Sequence, residues 1–146
     1  MMQALIQLQI GVSALLALLV SIMPLAGGAG RQIAFESDRD GNWEIYLMDV
    51  ERRLAVNLTR SPYHERSPAW SSDGASLAYY STPDNALKGN IYIMEVPSRA
   101  TRPFTTDGES NWMPSWSPDG KWIAYVVNYG DMLIANLDGC DIHQLG

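Results

Sequence analysis

His64 and His143 are the only side chains in the 146-residue chain that could serve as bases at neutral pH without a shifted pKa. His64 stands in the polar run Tyr63-His64-Glu65-Arg66, where solvation explains it as well as chemistry does. His143 alternates with Ile142 and Leu145, the pattern of a solvent-facing strand residue. Hydrolysis by a serine nucleophile would require a Gly-x-Ser-x-Gly elbow followed by an acid and a histidine, and the chain contains no such elbow. No catalytic set is expected.

Asp38-Arg39-Asp40-Gly41-Asn42 with Glu44 places oxygen ligands at alternate positions, as a calcium loop does. It lacks the twelve-residue frame and closing bidentate glutamate of an EF-hand, and a hairpin turn uses the same Asp-Gly-Asn chemistry. The turn is the preferred reading, and neither metal nor cofactor is expected. The single cysteine, Cys140, excludes an intrachain disulfide and any cysteine-based zinc knuckle. Asn57-Leu58-Thr59 is formally a glycosylation sequon, but it falls inside a strand pattern and is set aside.

The net charge is −6, the pI is near 4.7, and no basic cluster exceeds the pair Arg52-Arg53. Nucleic-acid binding needs a basic footprint that releases counterions, so it is excluded as the leading function. Apolar residues make up 47% and charged residues 18%, the balance of a chain that can bury a core.

Residues 1–30 carry no charged side chain. The leucine/alanine run from Ile10 to Met23 resembles a signal-peptide core, Pro24 breaks it, and Ala26-Gly27-Gly28-Ala29-Gly30 offers small residues for cleavage. A hydrophobic helix is expected there, either a signal peptide or a retained N-terminal membrane anchor. Either role exports residues 31–146, so membrane contact is expected only through residues 1–30, with a periplasmic or extracellular location for the rest.

The elements that would position any site come from a repeat. Pro68-Ala69-Trp70-Ser71-Ser72-Asp73-Gly74 returns 46 residues later as Pro114-Ser115-Trp116-Ser117-Pro118-Asp119-Gly120. At the same offset Ile45-Tyr46-Leu47-Met48 answers to Ile91-Tyr92-Ile93-Met94, and Leu58-Thr59 to Phe104-Thr105. A third copy opens at Ile123-Ala124-Tyr125. Several short strands in a period of this length mark a β-propeller. Runs such as Trp122-Ile123-Ala124-Tyr125-Val126-Val127 are apolar on both faces, which suits blades stacked between neighbours. Asp-Gly steps at 40, 73, 119 and 138 supply the turns.

Trp116 to Ala124, Ser37 to Asp49 and Leu58-Thr59 resemble the WD40-like repeat of TolB-type β-propellers, and the resemblance covers essentially all of residues 31–146. It implies an all-β fold of four-stranded antiparallel blades, with repeats at about 31–67, 68–113 and 114–146. Counted from Gln32, the strands amount to two and three-quarter blades. Departures from the pattern are Ser72 in place of the usual proline, the short loop Asn128-Tyr129-Gly130-Asp131, and Leu145-Gly146 where Leu-Thr would stand. Members of this family are exported propellers that bind other proteins of the cell envelope. The same repeat also builds propellers attached to prolyl-oligopeptidase-type hydrolases and propeller lyases.

Three functions compete on these grounds: an exported, non-enzymatic module binding an envelope protein or surface ligand; the propeller part of a peptidase or lyase; and self-assembly of partial propellers into a ring. The apolar faces at risk of exposure in an open stack are expected to include Ile45, Leu47, Ile123, Tyr125 and Val127. Trp70, Trp116, Tyr46, Tyr92 and Tyr125 recur with the repeat and are assigned to packing between blades. Trp43 and Trp112 fall outside the repeated core. The rim bearing the longer loops is the expected binding face, with His64, Arg66, Glu109, Asn111 and Trp112 as its contacts.

Overall fold

The computed structural model describes residues 20–22, 31–83, 86, 88–128 and 130–145. The helix expected over residues 1–30 lies outside these, apart from Val20–Ile22. Among the described residues, twelve strands form three antiparallel four-stranded sheets, each a simple meander. The first blade comprises β1 (Val20–Ile22), β2 (Gln32–Ser37), β3 (Glu44–Asp49) and β4 (Leu54–Asn57). The second comprises β5 (His64–Trp70), β6 (Ser76–Thr82), β7 (Asn90–Glu95) and β8 (Thr101–Pro103). The third comprises β9 (Asn111–Trp116), β10 (Trp122–Val127), β11 (Asp131–Asn136) and β12 (Ile142–Leu145).

The first blade therefore has its own innermost strand, which the sequence reading left inside the leader. Val20 pairs with Phe35 and Ile22 with Ile33, so the blades number three rather than two and three-quarters. A short strand within an uncharged run carries no alternation by which to be seen.

The 46-residue repeat is written into the backbone as well. Left-handed residues recur at that spacing as Arg53 and Arg99, Ser67 and Met113, and Gly74 and Gly120. The Ser-x-Asp-Gly turns are duplicates. Ser71 Oγ donates to Asp73 at 2.6 Å and Ser76 N donates to Ser71 Oγ at 2.9 Å; the Ser117–Asp119 and Trp122–Ser117 bonds measure 2.6 and 3.0 Å. Such side-chain turns satisfy backbone donors that the sheet leaves over.

The inner strands begin earlier than their sequence suggests. β5 starts at His64 and β9 at Asn111, on polar segments expected to be loops. A bulge absorbs the irregularity: β5 pairs Arg66 with Tyr80, skips, and resumes at Ala69 with Ala78, and β9 does the same opposite Ala124 and Val126. Ser67 and Met113 sit in these bulges, each just before a proline that has no N–H to give a ladder.

Two apolar seams join the blades. Ala34, Ile45, Leu58, Trp70, Leu77, Tyr79 and Met94 fill the first. Ala78, Tyr80, Ile91, Ile93, Ile123, Tyr125 and Val127 dominate the second. Successive residues of β6 thus face opposite seams, as the two-residue period of a strand requires. Ile45, Ile123, Tyr125 and Val127 are buried, and Leu47 packs against the first seam, so none of these five lies on an open end face. Leu47 pairs across β2 with Ala34, which fixes its face by register.

Candidate functional site

The rim where β5 and β9 begin carries the five residues chosen from sequence, but most are structural ties. His64 Nδ1 accepts a hydrogen bond from Trp43 N at 3.2 Å. Arg66 donates to Glu36 Oε1 at 3.2 Å and stacks its guanidinium 4.4 Å from the Trp43 ring centroid. Both residues therefore clip the second blade to the first. Asn111 is fully buried; its Nδ2 donates to Asp107 Oδ1 at 2.9 Å and to the Glu109 carbonyl at 3.2 Å. It cannot touch a partner across the surface. The buried amide shapes the loop before β9.

Trp112 lies on β9 rather than in a loop, its ring stacked on Tyr80 at 4.4 Å and 14°. It packs against the second seam. Replacing Trp112 or Arg66 would therefore disturb the packing of the blades as well as any contact made on this rim. Glu109 remains half exposed and pairs with Lys88 at 3.3 Å. A hydrogen bond with Asn128, and then Lys88, hold its carboxyl below the usual range. His143 is exposed and meets Asp141 at 2.9 Å.

Residues the sequence reading passed over complete this rim. Tyr63, ahead of β5, is 45% exposed, and Met113, in the β9 bulge, is 61% exposed. Both are large side chains whose exposure composition alone could not show, and Tyr63 also lines a cleft beside Glu65. The opposite rim is made of the Ser-x-Asp-Gly turns and the short β3–β4, β7–β8 and β11–β12 connections.

The Asp38–Asn42 segment is a hairpin turn, with Gly41 N donating to the Asp38 carbonyl at 3.0 Å. The Asp40 carboxyl is committed within the fold. Tyr46 Oη and Asn57 Nδ2 donate to Asp40, and the tyrosine bond in particular lowers that carboxyl's pKa. Arg39 lies 4.4 Å from the Tyr46 ring centroid and 5.3 Å from that of Phe35, over the outward face of the first blade. Among the described residues no three His, Cys, Asp or Glu side chains converge as a metal site.

The densest electrostatics lie in the first seam, where Glu36, Glu44 and Glu65 are all buried. Glu36 accepts from Arg66 and from Ser67 N at 2.7 Å. Glu44 accepts from Thr59 Oγ1 and from Ser61 N at 3.0 Å. Glu65 Oε1 accepts from Ser61 Oγ at 2.6 Å and Ser81 Oγ at 3.0 Å. Burial, opposed by those serine bonds and reinforced by Glu44, pushes the Glu65 carboxyl up to about 7. Beside it opens a cleft of about 370 Å³ between the β4–β5 connection and the face of the second blade. These three glutamates are spread over 30 residues of sequence, and nothing in their local pattern announces that they meet.

Three stacked four-stranded meanders with a 46-residue repeat define a propeller domain. The chain matches the TolB beta propeller domain over residues 20–145 and belongs to that family. It is 46% identical over 50 residues to the Tol-Pal system protein TolB of Desulfosudis oleivorans, covering 34% of this chain and 11% of that protein. It is 45% identical over 49 residues to the uncharacterized peptidase YuxL of Bacillus subtilis, covering 33% of this chain and 8% of that one. TolB from Acinetobacter baumannii superimposes with a TM-score of 0.69 at 25% identity, over 87% of this chain and 31% of its own. The matched regions span a third or less of each of these relatives.

Proposed function

We propose that the chain is an exported, non-enzymatic binding module that engages a protein of the cell envelope through the rim at the start of β5 and β9. The observation that carries this reading is the exposure of Tyr63 and Met113, two large side chains at the starts of β5 and β9, on the rim whose loops also carry the charged Lys88–Glu109 pair. Exposed apolar groups among polar ones are the usual composition of a recognition surface, and residues ahead of rigid inner strands are well placed to present them. Kinship with a protein named for the Tol-Pal system favours an envelope partner and a periplasmic or extracellular location. The apolar residues ahead of Val20 would serve export and stay attached as an anchor, because cleavage near residue 30 would take β1 out of the first blade. The open outer face of the third blade adds a second surface, through which another copy or another chain would extend the stack.

The test is capture of envelope proteins on the immobilised chain, comparing it with Tyr63→Ala and Met113→Glu. Both positions are exposed enough for the fold to survive, so circular dichroism and the melting temperature should stay within a few degrees. Specific capture lost in both variants is the expected result; capture indifferent to both overturns this choice of rim. The peptidase reading is favoured by the likeness to YuxL. A Gly-x-Ser-x-Gly segment encoded in frame with this chain would move the conclusion to that reading.

A further inference from the structure

The first seam holds carboxyls at places where the second seam manages with amides. In each seam a threonine hydroxyl accepts from a backbone N–H of the third strand, Thr59 from Ile45 at 3.0 Å and Thr105 from Ile91 at 2.9 Å. Forty-six residues beyond Glu44 and Glu65 stand Asn90 and Asn111. Thr105 donates to Asn90 Oδ1 at 3.3 Å, and Asn111 donates to Asp107 at 2.9 Å. The same scaffold closes without acids at those two positions, so carboxyls there are not a requirement of blade packing.

Glu65 is only 2% exposed, its Oε2 receives no backbone or hydroxyl donor, and the remaining partner of its carboxyl is the Glu44 carboxyl, with which it shares a proton. Two buried carboxyls that face each other with no counter-cation hold a proton in place of one, and an entering cation can take that proton's place. Glu65, Ser61 and Ser81 line the seam cleft, whose remaining wall includes Tyr79 and Tyr92 with ring centroids 6.1 Å apart. One end of the cleft is thus acidic and hydroxylic, and its wall is aromatic.

We propose that this cleft binds an alkylammonium group, the side chain of a lysine presented by a peptide, with Glu65 as its anion and the Tyr79–Tyr92 wall covering its methylene stem. An ammonium brings three donors, which suit a carboxylate flanked by two serine hydroxyls. Aromatic faces favour both the cation and its hydrocarbon stem. A calcium ion would need about six oxygen ligands, and the aromatic wall offers too few. Arg60 and Arg99 also line the cleft and are exposed. They oppose a second cation and favour the carbonyls of a peptide, which selects lysine over a diamine.

The cleft shares Tyr63 with the rim of the proposed function, so Glu65→Gln, which tests the cleft, and Met113→Glu, which tests the rim, tell the two apart. Glu65 is faced by Glu44 from β3 and Tyr79 from β6, while Arg66 turns to Glu36. With the carboxyl near pH 7, the entering ammonium displaces a proton, so affinity rises as pH passes from 6 to 8.

The experiment titrates the full chain with N-acetyl-lysine methylamide and follows tyrosine ring resonances by NMR, assigned with Tyr79→Phe and Tyr92→Phe. Saturable shifts of both rings are expected at pH 8, weakening about tenfold at pH 6. The norleucine analogue and cadaverine should bind at least about tenfold more weakly. Glu65→Gln should lose about tenfold or more while remaining folded, with a melting temperature at pH 8 no lower than that of the unaltered protein. Absence of saturation at pH 8, equal binding of the norleucine analogue, full binding by Glu65→Gln, or the same shifts with calcium chloride overturns the assignment. Should Glu65→Gln fail to fold, the pH contrast in the unaltered protein decides alone.

Discussion

Arg66 on β5 reaches across the first seam to Glu36 on β2, with Nη2 3.2 Å from Oε1. The arginine side chain is 35% exposed and the glutamate 2%, so the pair is buried at one end only. The Trp43 ring, also from the first blade, lies under the guanidinium. One residue of the second blade thereby holds two elements of the first.

Arg66→Ala should destabilise the protein by about 2–4 kcal/mol, because Glu36 would keep its burial and lose its counter-charge. Arg66→Lys should recover only part of that, since an ammonium cannot both stack on Trp43 and present a planar fork. Urea unfolding of Glu36→Gln, Arg66→Ala and the double variant measures the coupling directly. A coupling energy near zero would mean that the pair is ornamental.

Trp112→Ala should cost about 3 kcal/mol through loss of the Tyr80 stack and of contacts with the second seam, and Trp112→Phe should cost visibly less. Chemical denaturation followed by tyrosine fluorescence separates the two. If Trp112→Ala unfolds at the denaturant midpoint of the unaltered chain, the indole is a surface group after all.

The Glu65 carboxyl gives stability a pH dependence of defined sign. Its folded pKa, about 7, lies above the ordinary 4.5, so the folded state holds the proton more tightly than the unfolded one. Stability from this group is fully present below about pH 4.5 and is lost as the pH rises through about 7. Glu65→Gln, which cannot ionise, should flatten the stability curve between pH 5 and 8. Thermal melts across that range check it, and parallel slopes in the two proteins would refute it.

The third blade presents Met132 and Leu145 at 46% and 47% exposure, and the two are direct cross-strand partners. Val126 of β10 pairs with Met132 in turn, extending one face across three strands. Adjacent exposed apolar side chains on a sheet seek cover. The full chain should elute above monomer mass by light scattering on a sizing column, and Met132→Ser with Leu145→Ser should shift it toward monomer. A monodisperse monomer before substitution would show that this face needs no partner.

The repeated tryptophans Trp70 and Trp116, the Asp-Gly turns and the doubly apolar strands were legible because each depends on neighbours only a few residues away. They specified strands, turns and the 46-residue unit, and so the blade. Strand β1 was not legible, since Val20–Ile22 is a strand only by pairing with β2, and an uncharged run suits a leader equally. The polar starts of β5 and β9 were likewise hidden, because the bulges at Ser67 and Met113 interrupt the alternation that would reveal them. The seam is the sharpest case. Glu36, Glu44 and Glu65 look in sequence like ordinary surface acids, and Asn111 like an ordinary loop amide. Only the stacking of one blade on the next removes their water, sets Arg66 against Glu36 and Glu65 against Glu44, because desolvation and charge pairing depend on distance in space rather than along the chain.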